Sequence, residues 1–374
     1  MSVLFKKPIF EHVTQKELTE QIEAKLKSQK KLPTWFNNKN IYYPNKLNIE
    51  QCSSEITAEY KSRIIKGKSL VDLTGGFGVD SYFFSKKIEQ VFHCEINRNL
   101  SEIVTHNYAI LGVENILTKT ANGIDFLEQS NASFEWIYLD PSRRSESKGK
   151  VFLLSDCTPN IIEHLPLCFE KSKNILIKTS PLLDISNGLK QLKNVKEVHI
   201  VALNNEVKEL LWVLQHDYLG EVRIHTINLK KELEERYDFN WSEEKNTSLS
   251  TEKPLNYLYE PNVAILKSGA FKLLSNDFKI SKLHEHSHLY TSNKLIQFPG
   301  RTFKILEILK YHKKNLRGFS GAKANITCRN FPESVAQIRR KSKIKDGGDS
   351  FLFFTKDYKE SKIVIVCKKQ KQDS

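Results

Sequence analysis

Between residues 69 and 229 short apolar runs alternate with segments of helical periodicity, and this restricts the fold more than any other feature of the 374-residue chain. SLVDLT, VFHCEI, NILTKTA, EWIYLD, NILIKTS, EVHIVAL and VRIHTINL read as seven successive strands. Helical patterns separate them: VDSYFFSKK, NLSEIVTHNYAILG, NGIDFLEQ, TPNIIEHLPLCFEKS, LLDISNGLKQL and EVKELLWVLQ. Strands connected through helices at this spacing need crossover connections, which gives a mostly parallel sheet covered on both faces. The expectation is an α/β fold with a doubly wound, Rossmann-like sheet over residues 66–230. The last helical segment has a second reading, in which ELLWVLQ is a strand pairing with VRIHTINL as an antiparallel edge.

The flanks have a different character. Residues 1–65 form an N-terminal helical segment. In TQKELTEQIEAKLKSQKK, Leu18, Ile22 and Leu26 share a helix face, and Thr14 with Glu17 makes a capping box. The stretch LPTWFNNKNIYYPN reads as an ordered loop whose aromatics pack against a neighbouring domain, and another helix is expected from about Ile49 to Ile65. Residues 231–256 are polar and read as a linker. A small unit follows over 257–300, and a last one over 301–374 contains a basic helix pattern (SVAQIRRKSKIK), a turn at Asp346–Asp349 and the strands SFLFFTKD and KIVIVCKK.

Composition excludes several function classes. Apolar residues make up 39% of the chain, enough for a sizeable core, yet no apolar run reaches the roughly 18 residues of a membrane span. The first ten residues lack a secretory cleavage pattern, so a cytoplasmic protein is expected. Six scattered cysteines without a CxxC pair argue against a zinc site or a disulfide framework. The net charge of +14 is uneven: residues 301–374 hold 19 Lys and Arg against 7 Asp and Glu. Such a basic module suits a polyanionic partner, nucleic acid above all.

The sharpest local signal is VDLTGGFGVDSYFF, residues 71–84. A strand ends at Asp72, a turn through Thr74, Gly75, Gly76 and Gly78 follows, and a helix begins near Val79. Glycines let a ligand approach the backbone closely and allow unusual backbone angles. Their order, G-G-x-G after D-x-x, differs from the dinucleotide fingerprint G-x-G-x-x-G. Glu95 ends the second strand, where a carboxylate accepts hydrogen bonds from both hydroxyls of a ribose. The arrangement resembles the first motifs of class I methyltransferases, and by that resemblance Ile96 would flank an adenine and Asn122 after the third strand would meet its edge, with Asp125 as second choice or as a favourable first-turn carboxylate.

The fourth strand runs into LDPSRRSESKGK, residues 139–150. Asp140 and Pro141 begin a motif used in amine methylation, (N/D)PP(Y/F), but its aromatic fourth position is absent. Asp140 is suited to orient a nucleophilic nitrogen. Arg143 and Arg144 could meet a substrate phosphate or carboxylate, or pair with neighbouring acids. Lys178, Ser180, Pro181 and Asp184, after the fifth strand, belong beside the same cleft, Asp184 also being placed to cap the next helix. Cys157 is a thiol that carbon-5 pyrimidine methylation would need.

The ordered set of motifs resembles a family of bacterial proteins typical of Bacteroidetes, which join a class I S-adenosylmethionine-dependent methyltransferase domain to a C-terminal THUMP-like domain. The resemblance runs through WFNNKNIYYPNKLNIEQCSSEITAEYK, DLTGGFGVD, LDPSRR, YLYEPNVAILKSGAF and HLYTS to NITCRNFPESVAQIRRKSKIKDGGDSFLFF. It implies that 66–230 is the methyltransferase domain, 257–300 a ferredoxin-like insert and 301–374 the THUMP-like domain. It also implies S-adenosyl-L-methionine as cofactor, held by Asp72, Thr74, Gly75, Gly76, Gly78, Glu95, Ile96 and Asn122, with Asp140, Pro141 and Arg143 at the catalytic face. THUMP domains bind RNA, so the implied substrate is a tRNA or rRNA base, with Arg329, Arg339, Arg340, Lys341, Lys343 and Lys345 as candidate contacts. Other readings stay open: a methyltransferase of a small molecule or protein, or a non-catalytic RNA-binding protein with a vestigial cofactor site. The run His284-x-His286-x-His288 would share one face if it lay on a strand, as metal ligands sometimes do.

Overall fold

A computed structural model describes residues 13–143, 154–231 and 233–370; the first residues, Arg144 and the Arg143 side chain lie outside what is described. The chain divides into two compact units: residues 1–198 with 209–220, and 199–208 with 221–374.

The first unit opens with α1 (Gln15–Lys31), α2 (Pro33–Asn37), α3 (Lys46–Gln51) and α4 (Glu55–Ile64). The Thr14 hydroxyl accepts from the Glu17 N–H at 3.1 Å, which starts α1 as its sequence predicts. The aromatic loop contains the short helix α2, because Pro33 at its first turn is preset for helical φ. The single helix expected from Ile49 to Ile65 is two helices. Ser54 is extended and caps α4 by accepting from Thr57, so the chain breaks at Cys52–Ser54. Trp35 is fully buried, with its ring centroid 4.9 Å from that of Tyr82 and 6.2 Å from that of Phe77.

The sheet follows through β1 (Gly67–Asp72), α5 (Val79–Phe84), β2 (Ile88–Glu95), α6 (Arg98–Ile110), β3 (Ile116–Thr120), α7 (Gly123–Gln129) and β4 (Phe134–Leu139). A two-residue pair, β5 (Ser142–Arg143) with β6 (Cys157–Thr158), precedes α8 (Ile161–Lys171), β7 (Ser172–Thr179), α9 (Ile185–Gln191), β8 (Val195–Leu203) and β9 (Glu206–Gln215). The order is β8-β9-β7-β4-β1-β2-β3, with β9 antiparallel to β7 and the β1–β2, β2–β3, β1–β4 and β4–β7 pairs parallel. This is the doubly wound α/β sheet that the alternation predicts. Chain direction across the sheet reverses between β1 and β4, which opens a crevice at their carboxyl ends.

The helix expected over EVKELLWVLQ is instead β9. Residues 210–214 are all buried, so this strand is covered on both faces, and such a run cannot be separated from a buried helix by periodicity. It is also not an edge paired with VRIHTINL, for it lies between β7 and β8.

In the second unit, β10 (Arg223–Leu229) pairs antiparallel with β11 (Glu234–Asn240), and α10 (Trp241–Asn246) follows. The polar segment 231–256 is therefore more than a linker: Tyr237 and Phe239 alternate inward on β11 and are buried. Then come β12 (Tyr257–Pro261), α11 (Val263–Ser268), α12 (Phe271–Asp277), β13 (Ser281–Lys282), β14 (Tyr290–Ser292), β15 (Gly300–Lys310), α13 (Lys313–Leu316), β16 (Asn325–Cys328), α14 (Val335–Ser342), β17 (Ser350–Lys356) and β18 (Lys362–Lys369). The sheet order is β13-β14-β12-β15-β18-β17-β16. Period-two alternation gives it a core on each face: Phe353, Ile363 and Ile365 join Leu258 and Phe303, whereas Phe354, Val364 and Val366 join Leu316 and Ile338. No described helix is long and apolar enough to cross a membrane.

Trp35 links α2 to the aromatic side chains around α5. Trp35→Ala is expected to destabilise the first unit by about 3–5 kcal/mol, measured by urea denaturation with tyrosine fluorescence.

Candidate active site

At the end of β1 the chain turns through Thr74–Gly78. Asp72 is buried and braces this turn: its carboxylate accepts from the Thr74 N–H at 3.0 Å and from the Ser81 hydroxyl at 2.7 Å. Burial pushes its carboxyl up to about 7, against those two hydrogen bonds. The glycines have separate reasons. A Cβ on Gly75 would lie 2.2 Å from the His93 ring, and one on Gly78 would lie 2.2 Å from the Tyr108 hydroxyl. Gly76, with φ of +56°, would present its Cβ to open space, where Thr74 O at 3.8 Å is the nearest atom. Gly75 is thus required by packing, Gly78 by packing and by its left-handed φ of +77°, and Gly76 by backbone angle beside a space left open.

A cleft of about 780 Å³ lies at this end of the sheet, a volume suited to a nucleoside-sized ligand. Asp72, Thr74, Gly75, Gly76, Gly78, Glu95, Ile96, Asn122, Asp140 and Pro141 all line it. Ten positions named from sequence thus meet in one cavity. Glu95 closes its rim, accepting from Gly76 N–H at 2.9 Å and Asn97 N–H at 2.7 Å. Ile96 is 70% exposed beside it, an apolar surface available to a flat ring. Asn122 caps α7 by accepting from the Ile124 N–H at 2.9 Å, which leaves its amide nitrogen for a ligand.

Asp140 is fixed from two sides. Its N–H donates to the Thr74 hydroxyl at 2.6 Å, and its carboxylate is paired with the Lys178 ammonium. Behind it lies a charge cluster that the sequence did not reveal. Lys61 is fully buried and donates to both Glu209 oxygens at 2.8 Å and to the Ser53 hydroxyl at 3.0 Å, and lies 3.2 Å from Asp80. Asp80 also accepts from the Tyr138 hydroxyl at 2.7 Å and from Ser53 at 2.9 Å. Burial works to raise Asp80, but Lys61 and Lys178 hold it below the usual carboxylate range. Glu209 is pushed up by burial. Burial alone would lower Lys178, but Asp140, Asp80 and Glu209 outweigh it and raise the ammonium, so Lys178 stays charged. Lys61 and Glu209 stand 148 residues apart, and no local pattern joins them.

Asn48, Gln51, Cys52 and Ser53 also line the cleft, so the N-terminal segment builds part of its wall. Other candidates have structural duties. Asp184 caps α9, accepting from Asn187 N–H at 2.9 Å. Cys157 is buried in the β5–β6 pair and is not among the residues that line the cleft. Cys52 does line it, but burial pushes its thiol up to about 11. The His284–His288 run is a turn, not a strand. His284 pairs with Glu360, His288 stacks on Phe271 and His286 is exposed, so the three do not converge on one ion.

In the C-terminal module the six basic candidates separate. Arg329 is bound to buried Glu260 at 3.0 Å, Arg339 donates to the Ala324 and Ile344 carbonyls, and Lys341 pairs with Glu333 at 2.7 Å. Arg340, Lys343 and Lys345 are exposed.

Along 99% of its length the chain superposes, at 33% identity and a TM-score of 0.90, on 94% of a "putative methyltransferase" from Porphyromonas gingivalis W83. It belongs to the same family. Within it, residues 257–299 match the model of a ferredoxin-like domain and residues 300–369 that of a THUMP domain-like module. Weaker likenesses cover less than half of the chain. One is a "putative methyltransferase", yhhF, from Escherichia coli (18% identity, 44% of this chain and 85% of that one, TM-score 0.33). Another is SMU.1697c from Streptococcus mutans, a "putative methyltransferase" in complex with SAH (14% identity, 43% and 96%, TM-score 0.32). No curated protein matches the sequence.

Two outcomes test the site's electrostatics. Lys61→Ala leaves Glu209 and Asp80 buried without the ammonium that bonds to them directly, with Lys178 as the remaining cation, and is expected to cost about 3–5 kcal/mol in urea denaturation. For Asp72, the folded state holds a proton over the range from its usual value up to about 7 that the unfolded state releases, so stability falls as pH rises through that window. Asp72→Asn is expected to remove about 2–3 kcal/mol of that loss between about pH 5 and pH 8, seen as a smaller shift in urea midpoint.

Proposed function

We propose that this protein is an S-adenosylmethionine-dependent methyltransferase acting on RNA, with a base nitrogen as acceptor. The observation that carries this reading is the meeting of Gly76, Glu95 and Asp140, from three different strand ends, around one nucleoside-sized cleft. Family membership with a methyltransferase-described protein agrees with it.

The residues fit the cofactor. Gly76 leaves open space where an added Cβ would stand, and Glu95 lines the cleft with an acceptor-only carboxylate suited to ribose hydroxyls. Ile96 and the Asn122 amide would flank and meet the adenine, and Asp72 holds the turn beside the methionine part. Bound there, S-adenosylmethionine supplies an electrophilic methyl group on a sulfonium.

The chain's own work is positioning. The Asp140 carboxylate, held by Lys178 and by the Thr74 hydroxyl behind its N–H, accepts a hydrogen bond from an acceptor nitrogen and aligns its lone pair with the methyl group. Pro141 fixes φ directly after it. The (N/D)PP(Y/F) motif would place an aromatic at Arg143, so base stacking would have to come from elsewhere on the wall. RNA as substrate is supported by the THUMP domain-like match over 300–369 and by the 19 to 7 excess of basic residues in 301–374.

Calorimetry with S-adenosylmethionine tests the cofactor site: Glu95→Ala is expected to weaken binding by about 10- to 100-fold, as loss of charge-assisted hydrogen bonds implies. Asp140→Asn is expected to keep that affinity while transfer of labelled methyl to RNA from a strain lacking the gene falls by at least about 100-fold. A folded wild type that binds no S-adenosylmethionine would refute the reading.

A further inference from the structure

The C-terminal module contains a second cavity, also of about 780 Å³, that none of the chemistry above uses. It lies between the start of α13 and the end of α14, where Tyr311, Leu316, Arg317, Glu333, Lys341 and Lys343 face it together with Lys313. Among the described residues, the one acidic residue in its lining is already spent. Glu333 accepts from the Tyr311 hydroxyl at 2.8 Å and from the Lys341 ammonium at 2.7 Å, and those two hydrogen bonds hold it below the usual carboxylate range. Glu333 and Lys341 therefore cancel. Lys313, Arg317 and Lys343 are exposed at the same cavity and have no carboxylate partner among the described residues.

The wall thus combines three uncompensated cations with an apolar base. Leu316 is buried under it, and the Tyr311 ring is fixed edge-on against Phe331 and Phe354, with centroids 4.9 and 5.9 Å away. A phosphate alone needs no cavity of this volume, and a purely apolar ligand would leave the three cations desolvated without a counter-charge. A ligand that is anionic at one end and flat and apolar at the other satisfies both. Lys343 stands where its neighbours can steer it: it takes a left-handed φ of +59° as the residue that ends α14, turning the chain at the cavity rim.

We propose that this cavity binds one nucleotide unit, with its phosphate held by Lys313, Arg317 and Lys343 and its base against Tyr311 and Leu316. In the RNA reading above, on which only the source of the nucleotide rests, the unit is an unpaired nucleotide of the substrate. Arginine supplies a fork for phosphate oxygens, and the lysines supply point charges. The proposal differs from a diffuse basic surface, because it makes the cations of one cavity matter more than equally exposed cations elsewhere on the same module.

The test uses the full chain and two probes: adenosine monophosphate by calorimetry, and a labelled single-stranded RNA of about ten nucleotides by fluorescence anisotropy. The Arg317→Ala/Lys343→Ala pair is compared with Arg340→Ala/Lys345→Ala, which removes the same charge from exposed positions outside the cavity. Circular dichroism and the urea denaturation midpoint of each variant serve as the control for folding. The expected result is at least a tenfold loss of affinity for both probes in the first pair, about threefold or less in the second, and competition between the probes. RNA binding that weakens equally in both pairs overturns the cavity and leaves the RNA reading standing. Nucleotide binding lost in the first pair without any RNA binding by the wild type supports the cavity and refutes RNA as the substrate. Binding of neither probe overturns both.

Discussion

The first unit depends on one buried ion cluster. Lys61 on α4 is the cation for Glu209 on β9 and Asp80 on α5, and Lys178 on β7 extends the cluster to Asp140 at the cleft. Isolated, any of these charges would be costly to bury, and each is tolerable because the others and the hydroxyls of Ser53 and Tyr138 satisfy it. The cluster therefore ties the N-terminal helices, the antiparallel strand and the helix after the glycine turn to the position of one carboxylate. It explains why a helical segment ahead of the sheet is part of the unit that carries the cleft rather than an appendage.

The glycine turn adds a second level of constraint. Two of its glycines are demanded from behind, by the His93 ring and the Tyr108 hydroxyl, and the third is open in front. Packing beneath the turn fixes the backbone, and the fixed backbone leaves room above it. Glu95 then joins the two strand ends by bonding the Gly76 N–H, so the carboxylate suited to a ribose is oriented before any ligand arrives. Preorganisation of this kind agrees with the methyl transfer proposed above, in which alignment supplies much of the rate.

The C-terminal module follows a different economy. Its sheet has a core on each face, and part of its basic surplus is internal wiring: Arg301 and Arg329 bracket buried Glu260, and Arg339 braces the Ala324 and Ile344 carbonyls. Counting basic residues therefore overstates the charge offered to a partner. What is left for recognition is narrower and, at the Tyr311–Lys343 cavity, concentrated.

The sequence by itself determined the parallel α/β sheet, the turn at Asp72–Gly78, the strand ends at Glu95 and Asp140, and the cap at Thr14. Each of these is a local pattern: periodicity, a glycine demanded by backbone angle, or a side chain three residues from its partner. Local pattern failed where the signal was ambiguous or distant. The buried run Leu210–Leu214 satisfies helix and strand periodicity alike, and only its place between two strands made it β9. The polar segment after Lys230 hid a strand whose inward residues, Tyr237 and Phe239, are separated by charged neighbours. The Lys61–Glu209 pair and the division of the basic residues into structural and available ones were decided by tertiary structure alone. Burial and charge pairing arise between residues far apart in the chain, and a single sequence records each partner without recording the pair.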